Sequence, residues 1–290
     1  MNKALCLIDS HCHLHDREFF SESPAEEMLK RAHGKGVEKI ICIGTNHEDS
    51  LEAEKFAKNH ENVYWTYGVH PEYAENYATD ISRSGARRSL PSPRGSRATP
   101  RAAALRTPLR RDISIANHPP IAIGEVGLDY HYDGYNRDAQ IKLFEEMLQL
   151  ATDNNLPVSF HVREAFDDFF PVVANFPKIR GVVHSFSDNK KKLKRILTET
   201  DFYVGVNGMA TYTTLPVPPL ERIILETDAP FLTPKPFRGI INEPAYVSEV
   251  ASWLGDKLGL EYQIIERETT KNAEQLFDFQ HPFLRKKRGL

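Results

Sequence analysis

The run Ile121-Ala-Ile-Gly-Glu-Val-Gly-Leu-Asp-Tyr130 opens as a short apolar, β-branched stretch of the kind a buried strand wants. Gly124 and Gly127 break that run. Glu125 is therefore expected where a strand ends, with small residues that let another group approach its carboxylate. An isolated buried charge is costly, so Glu125 needs partners. The histidines able to supply them are His11, His13, His161 and His184, and each follows an apolar run. Strands that each deliver an ionisable group to one end form a parallel barrel whose rim carries the chemistry.

The same reading extends to both ends of the chain. Leu5–Asp9, Val37–Ile43, Val63–Tyr67, Pro157–Phe160, Gly181–Val183, Phe202–Val206 and Ile223–Leu225 read as further strands. Between them, Pro24–Lys35 (Ser23 as N-cap), His47–Asn59, Asn136–Asn155, Ala165–Asn175 and Asp188–Thr198 read as helices. Asn242–Leu258 and Tyr262–Phe277 close the chain as two more. Eight strands in mostly βα alternation predict a (β/α)8 barrel of the α/β class.

Charge divides the chain unevenly. The 290 residues carry a formal −3, but residues 81–111 hold nine Arg and no Lys, Asp or Glu, leaving −12 on the rest. An acidic body binds polyanions poorly, so a nucleic-acid substrate would need bound cations to supply local positive charge. The 81–111 stretch has neither hydrophobic period and no aromatic residue. It is expected to be a disordered basic insertion in a single 1–280 barrel, followed by a basic tail at 281–290. Cys6, Cys12 and Cys42 lack CxxC spacing and are expected as reduced core residues. No signal peptide and no apolar run of about 18 residues is visible. These features predict a cytoplasmic monomer with no membrane partner; Arg285-Lys-Lys-Arg288 leaves a nuclear location open.

Taken singly, each candidate ligand has an ordinary explanation. A histidine after a strand is usually a satisfied polar residue, and Glu125 alone would pair with an arginine. The joint pattern is harder to dismiss. His11 and His13 follow strand 1, Glu125 strand 4, His161 strand 5, His184 strand 6 and Asp228 strand 8. Core packing has no reason to gather six such groups at one rim. Four imidazoles and two carboxylates suit two divalent ions bridged by Glu125, with Mg, Mn or Zn as candidates. Asp228 would take a proton from the attacking water. Glu226, two residues earlier on the same strand face, would orient that water or hold a neighbouring group.

Asp9-Ser-His-Cys-His13, Gly68-Val-His-Pro71, Ile123-Gly-Glu-Val-Gly-Leu-Asp-Tyr130, Phe160-His-Val-Arg-Glu-Ala165, His184-Ser-Phe186 and Leu225-Glu-Thr-Asp-Ala-Pro-Phe-Leu-Thr-Pro234 together resemble the TatD family of metal-dependent deoxyribonucleases, within the amidohydrolase superfamily. Asn272-Ala-Glu-Gln-Leu-Phe277 also fits. The resemblance implies a distorted (β/α)8 barrel that hydrolyses DNA phosphodiesters with two divalent metals, commonly from a 3′ end. It implies metal ligands at His11, His13, Glu125, His161, His184 and Asp228, and a substrate-facing histidine at His70. Arg163 is a candidate phosphate contact, because its planar fork matches phosphate oxygens; a salt bridge to a neighbouring carboxylate is the plainer alternative. Three departures stand out. The Arg-rich window replaces or expands a family helix, the Gly208–Leu220 connection lacks one, and Ile240 and Ile241 stand where basic residues are usual. Two other readings stay open: an amide, ester or lactone hydrolase using the same site, and a non-catalytic interaction protein.

Overall fold

Short runs of branched apolar residues become strands because their side chains pack on both faces of a buried parallel sheet. In the computed structural model, which describes residues 6–16, 20, 25–75, 77 and 118–279, eight strands hydrogen-bond in chain order. They are β1 (Leu7–Cys12), β2 (Val37–Cys42), β3 (Val63–Tyr67), β4 (Ala122–Asp129), β5 (Val158–Arg163), β6 (Gly181–Val183), β7 (Tyr203–Val206) and β8 (Ile223–Leu225). Every neighbouring pair is parallel. A parallel bridge between Cys12 and Ala229 joins β1 to the segment after β8 and nearly closes the ring. The predicted (β/α)8 barrel is the observed fold.

The described α-helices are α1 (Ala25–Gly34), α2 (His47–Asn59), α3 (Arg137–Asp153), α4 (Phe166–Ala174), α5 (Lys190–Glu199), α6 (Val247–Leu258) and α7 (Tyr262–Leu276). Asn46, Asn136 and Asn189 cap α2, α3 and α5 through their side chains, satisfying first-turn N–H groups that the helix itself cannot. The β7–β8 connection, which holds Pro216, Pro218 and Pro219, carries only 3-10 turns, at Gly208–Thr211 and Leu220–Arg222, in line with the expected lack of a helix there. The proposed Ser23 cap, the 81–111 insertion and the 281–290 tail lie outside the described residues.

Strand alternation sorts the core into two clusters. Leu7, Val37, Ile40, Val63, Trp65, Ile123, Phe160 and Leu225 pack with helix residues such as Met28, Phe144 and Phe169. Their neighbours Ile8, Ile41, Tyr64, Ala122, Val182 and Ile224 form the other cluster, with Phe277 and Phe279 against it. The second set is the barrel interior, filled rather than hollow, and the residues after α7 plug its lower end. No described helix is long and apolar enough to cross a membrane.

Three strands outrun their sequence-based limits. β1 continues through His11, β4 through Asp129 and β5 through Arg163. Glu125 therefore lies inside a strand instead of at its end. The pairing of β4 with β5 shifts register between Ile123 and Val126, the kind of irregularity that re-aims a side chain. Gly68 makes room for it, since a Cβ there would sit 2.3 Å from the backbone of Gly124. Likewise α6 starts at Val247, not at Asn242. Asn242 instead donates from Nδ2 to the carbonyls of Thr227 and Phe231, tying down the loop that carries Asp228.

Candidate metal centre

The polar residues at the strand ends converge. His11 Nε2 lies 3.5 Å from Glu125 Oε2 and 3.6 Å from Asp228 Oδ1. His13 Nε2 lies 3.6 Å from the same Asp228 oxygen, and His184 Nε2 lies 3.5 Å from Glu125 Oε1. His161 Nδ1 is closer to that oxygen, at 2.6 Å, and His70 Nε2 is 3.8 Å from it. All six predicted ligands are thus brought together, with His70 beside them.

These groups are fixed from behind by ordinary hydrogen bonding. His13 Nδ1 contacts the Ile43 carbonyl at 3.1 Å, and His11 Nδ1 contacts Ser159 Oγ at 3.3 Å. The rings of His11 and His184 stack with centroids 3.6 Å apart. Asp228 adopts a left-handed backbone, φ 59°, and its N–H donates to the His11 carbonyl at 2.8 Å. Asp9 sits beneath, its carboxylate accepting from the Thr227 N–H and hydroxyl. Neither Asp9 nor Ser159 was singled out from sequence; only Asp9's place in the first motif hinted at it.

Of the two tasks expected of Glu226, holding a neighbouring group is the one its position allows. β8 ends at Leu225, so the expected shared face with Asp228 is lost. Its fully buried carboxylate instead accepts the Ser185 N–H at 2.7 Å, contacts Asn207, and lies 3.2 Å from His184 Nδ1. It is placed to hold His184, not to face a water at the rim. Arg163 stands at the end of β5, its guanidinium 5.3 Å from the centre of the Tyr132 ring. Among the described residues it makes no salt bridge, so the plainer alternative for it is not realised.

Electrostatics follow from the crowding. Burial and the neighbouring His184 lower His11, and burial takes His70 down to about 4, so both imidazoles are neutral at pH 7. Burial works against charge on His184 too, but Glu226, Glu125 and Asp228 carry it up to about 10. Burial likewise opposes charge on His161, yet hydrogen bonds to Asp129 and Glu125 bring it to about 9. Glu125 and Asp228, despite burial, are held below their usual range by these imidazoles.

The donor set fits divalent cations. His11 Nε2 is buried with no hydrogen-bond partner, although two carboxylates face it. Separations of 3.5–3.6 Å are too long for good hydrogen bonds. They match the spacing between two ligands of one ion, each about 2.0–2.2 Å from the metal. Four overlapping groups have potential ligand atoms within 4.8 Å of one another: His11–His13–Glu125, His11–His184–Asp228, Glu125–His161–His184 and His70–Asp129–His161. Asp129 of the last group escaped the sequence reading.

A pH dependence follows. Cation binding at Glu125 and His161 must displace the proton that His161 holds in protein stripped of metal. Affinity should therefore rise between pH 6 and about 9, with protons released on binding. Calorimetric titration in two buffers of different ionisation enthalpy measures both. Flat affinity over that range with no proton release would contradict the charge assignment.

A family profile described as "TatD related DNase" matches residues 8–278. The chain is 29% identical over 290 residues to the 3'-5' ssDNA/RNA exonuclease TatD of Pantoea ananatis, covering 93% of this chain and 99% of that one. It is 28% identical to the uncharacterised metal-dependent hydrolase YabD of Bacillus subtilis, covering 93% and 98%. Among solved structures, the TatD homologue YjjV of Escherichia coli K12 superposes with TM-score 0.73 at 26% identity, covering 94% and 98%.

Proposed function

The chain belongs to the TatD-related DNase family of metal-dependent hydrolases, and from that premise we propose that it is a deoxyribonuclease removing nucleotides from DNA 3′ ends with two divalent cations. The observation that carries this reading is the Arg163–Tyr132 pair beside the carboxylate–histidine cluster. A planar guanidinium that makes no salt bridge among the described residues suits phosphate oxygens, and an exposed aromatic ring suits a nucleobase. A carbonyl substrate would call for neither.

Each residue then has a task. His11, His13 and Asp228 would hold one cation, His161 and His184 the other, with Glu125 shared. Bound divalent cations supply Lewis acidity, lowering the pKa of water from 15.7 toward about 7 and offsetting phosphate charge. Asp228, ionised and at the rim, accepts the proton of the attacking water on a carboxylate oxygen. His70, neutral at pH 7, faces the substrate and hydrogen-bonds its phosphate. Arg163 orients the strand. Glu226 keeps the His184 ring in place.

The test is digestion of single-stranded oligonucleotides carrying a 5′ label, with Mg²⁺ or Mn²⁺. A ladder shortening stepwise from the unlabelled 3′ end is expected. Faster turnover of a lactone, ester or N-acyl substrate than of any DNA would replace this reading with the carbonyl-hydrolase one. Tight metal binding with no hydrolysis at all would favour the non-catalytic reading.

A further inference from the structure

We infer that Asp129 is the positioning residue for His161, locking its ring so that Nδ1 and not Nε2 is offered to a metal; this rests on the metal-binding reading above. Asp129 lies at the end of β4, four residues beyond Glu125 and buried. Its Oδ2 lies 2.9 Å from His161 Nε2, while His161 Nδ1 points the opposite way, at Glu125. One imidazole is thus held between two carboxylates with different tasks. Asp129 takes the Nε2–H and leaves the Nδ1 lone pair for a cation shared with Glu125 and His184. A carboxylate behind a ligating imidazole fixes the tautomer and raises the basicity of the ligand.

The carboxylate is itself held. Its other oxygen accepts the His131 N–H at 3.0 Å. The peptide groups of Asp129 are clamped by the amide of Gln140, buried on α3, which accepts from the Asp129 N–H and donates to its carbonyl, both at 2.8 Å. Gly127 lets β4 and β5 approach at this point, because a Cβ there would sit 2.0 Å from the His161 carbonyl oxygen. A helix, two strands and a buried amide thus set the angle of a single ring. Direct ligation by Asp129 is the competing possibility, since Asp129, His161 and His70 form a group close enough to share an ion. Both Asp129 oxygens are already engaged, and that favours positioning.

Two measurements decide. In wild-type protein loaded with Zn²⁺ and labelled with ¹⁵N-histidine, the His161 resonances, assigned by comparison with His161→Gln, should report a protonated Nε2 and a metal-bound Nδ1. A metal-bound Nε2 overturns the inference, with no need for an Asp129 variant to fold. In chelator competition, Asp129→Ala should weaken the second Zn²⁺ about 10–100-fold while the protein still takes up two ions at saturation. Asp129→Asn should recover part of that loss, and Gln140→Leu should show a smaller loss in the same direction. Unchanged affinity in Asp129→Ala, or uptake of one ion instead of two, would each refute positioning. Failure of the metal-centre reading looks different: wild-type protein itself would bind no zinc.

Discussion

Asp228→Asn is expected to cut single-turnover cleavage of end-labelled oligonucleotide by about 10²–10⁴-fold, the usual contribution of a positioned general base. Weakened metal binding would add to that loss, because Asp228 Oδ1 stands 3.6 Å from both His11 Nε2 and His13 Nε2. Asparagine keeps the shape and removes the charge. The fold should survive, since Asp228 lies above the barrel and outside its apolar clusters. Its backbone bond to the His11 carbonyl does not depend on the side chain. Affinity for an uncleaved oligonucleotide should fall far less than the rate, because Arg163 and Tyr132 are untouched. Cleavage within about tenfold of wild type, one step of 1.36 kcal/mol, would make Asp228 a structural carboxylate.

The positions where strands begin were legible from sequence, and several positions where they end were not. An apolar run marks a strand only while its side chains face hydrocarbon. β1, β4 and β5 continue past their apolar runs because their later polar residues find partners on neighbouring strands: His11 Nδ1 contacts Ser159 on β5, and His161 contacts Glu125 and Asp129 on β4. A strand is defined by backbone pairing, and polar side chains do not interrupt it when they have partners. Glycine misled for a related reason. Gly124 and Gly127 read as breaks, whereas they permit close approach within a continuing strand: β4 pairs with β5 at Gly127 and beyond, to Asp129.

The candidate ligands were legible because each lies within or just after a strand that an apolar run marks: His11 and His13 at the end of β1, Glu125 and His161 within β4 and β5, His184 and Asp228 after β6 and β8. What supports the ligands was less so. Glu226 was assigned by alternation from Asp228, and alternation fails once the backbone turns left-handed at φ 59°. Asp129 stands beyond Gly127, where the apolar reading had already ended. Its role depends on Gln140, eleven residues later on another element. Such contacts across elements leave no periodic trace in a single sequence.

Glu125→Gln should have the larger effect still. Glu125 belongs to two of the potential metal groups, His11–His13–Glu125 and Glu125–His161–His184, so one substitution weakens both halves of the centre. Metal assistance supplies several kcal/mol of charge stabilisation, so losing it should cost roughly 10⁴-fold or more in turnover. Elemental analysis should find well under two ions per chain. The change also bears on stability. Glu125 ionises well below the usual carboxylate range, so in stripped wild-type protein its contribution is present at neutral pH and lost as pH falls through its depressed folded value. Glutamine removes that contribution and leaves the imidazoliums of His161 and His184 short of a counter-charge. Breaking a buried pair in this way costs about 3–5 kcal/mol. Both rings can recover part of it by releasing protons, since their raised values of about 9 and about 10 depend in part on Glu125. The deficit in melting temperature, relative to stripped wild type, should therefore be largest near pH 6 and shrink towards pH 9. A Glu125→Gln protein that retains two ions and digests DNA at an undiminished rate would mean that the shared ligand is another residue.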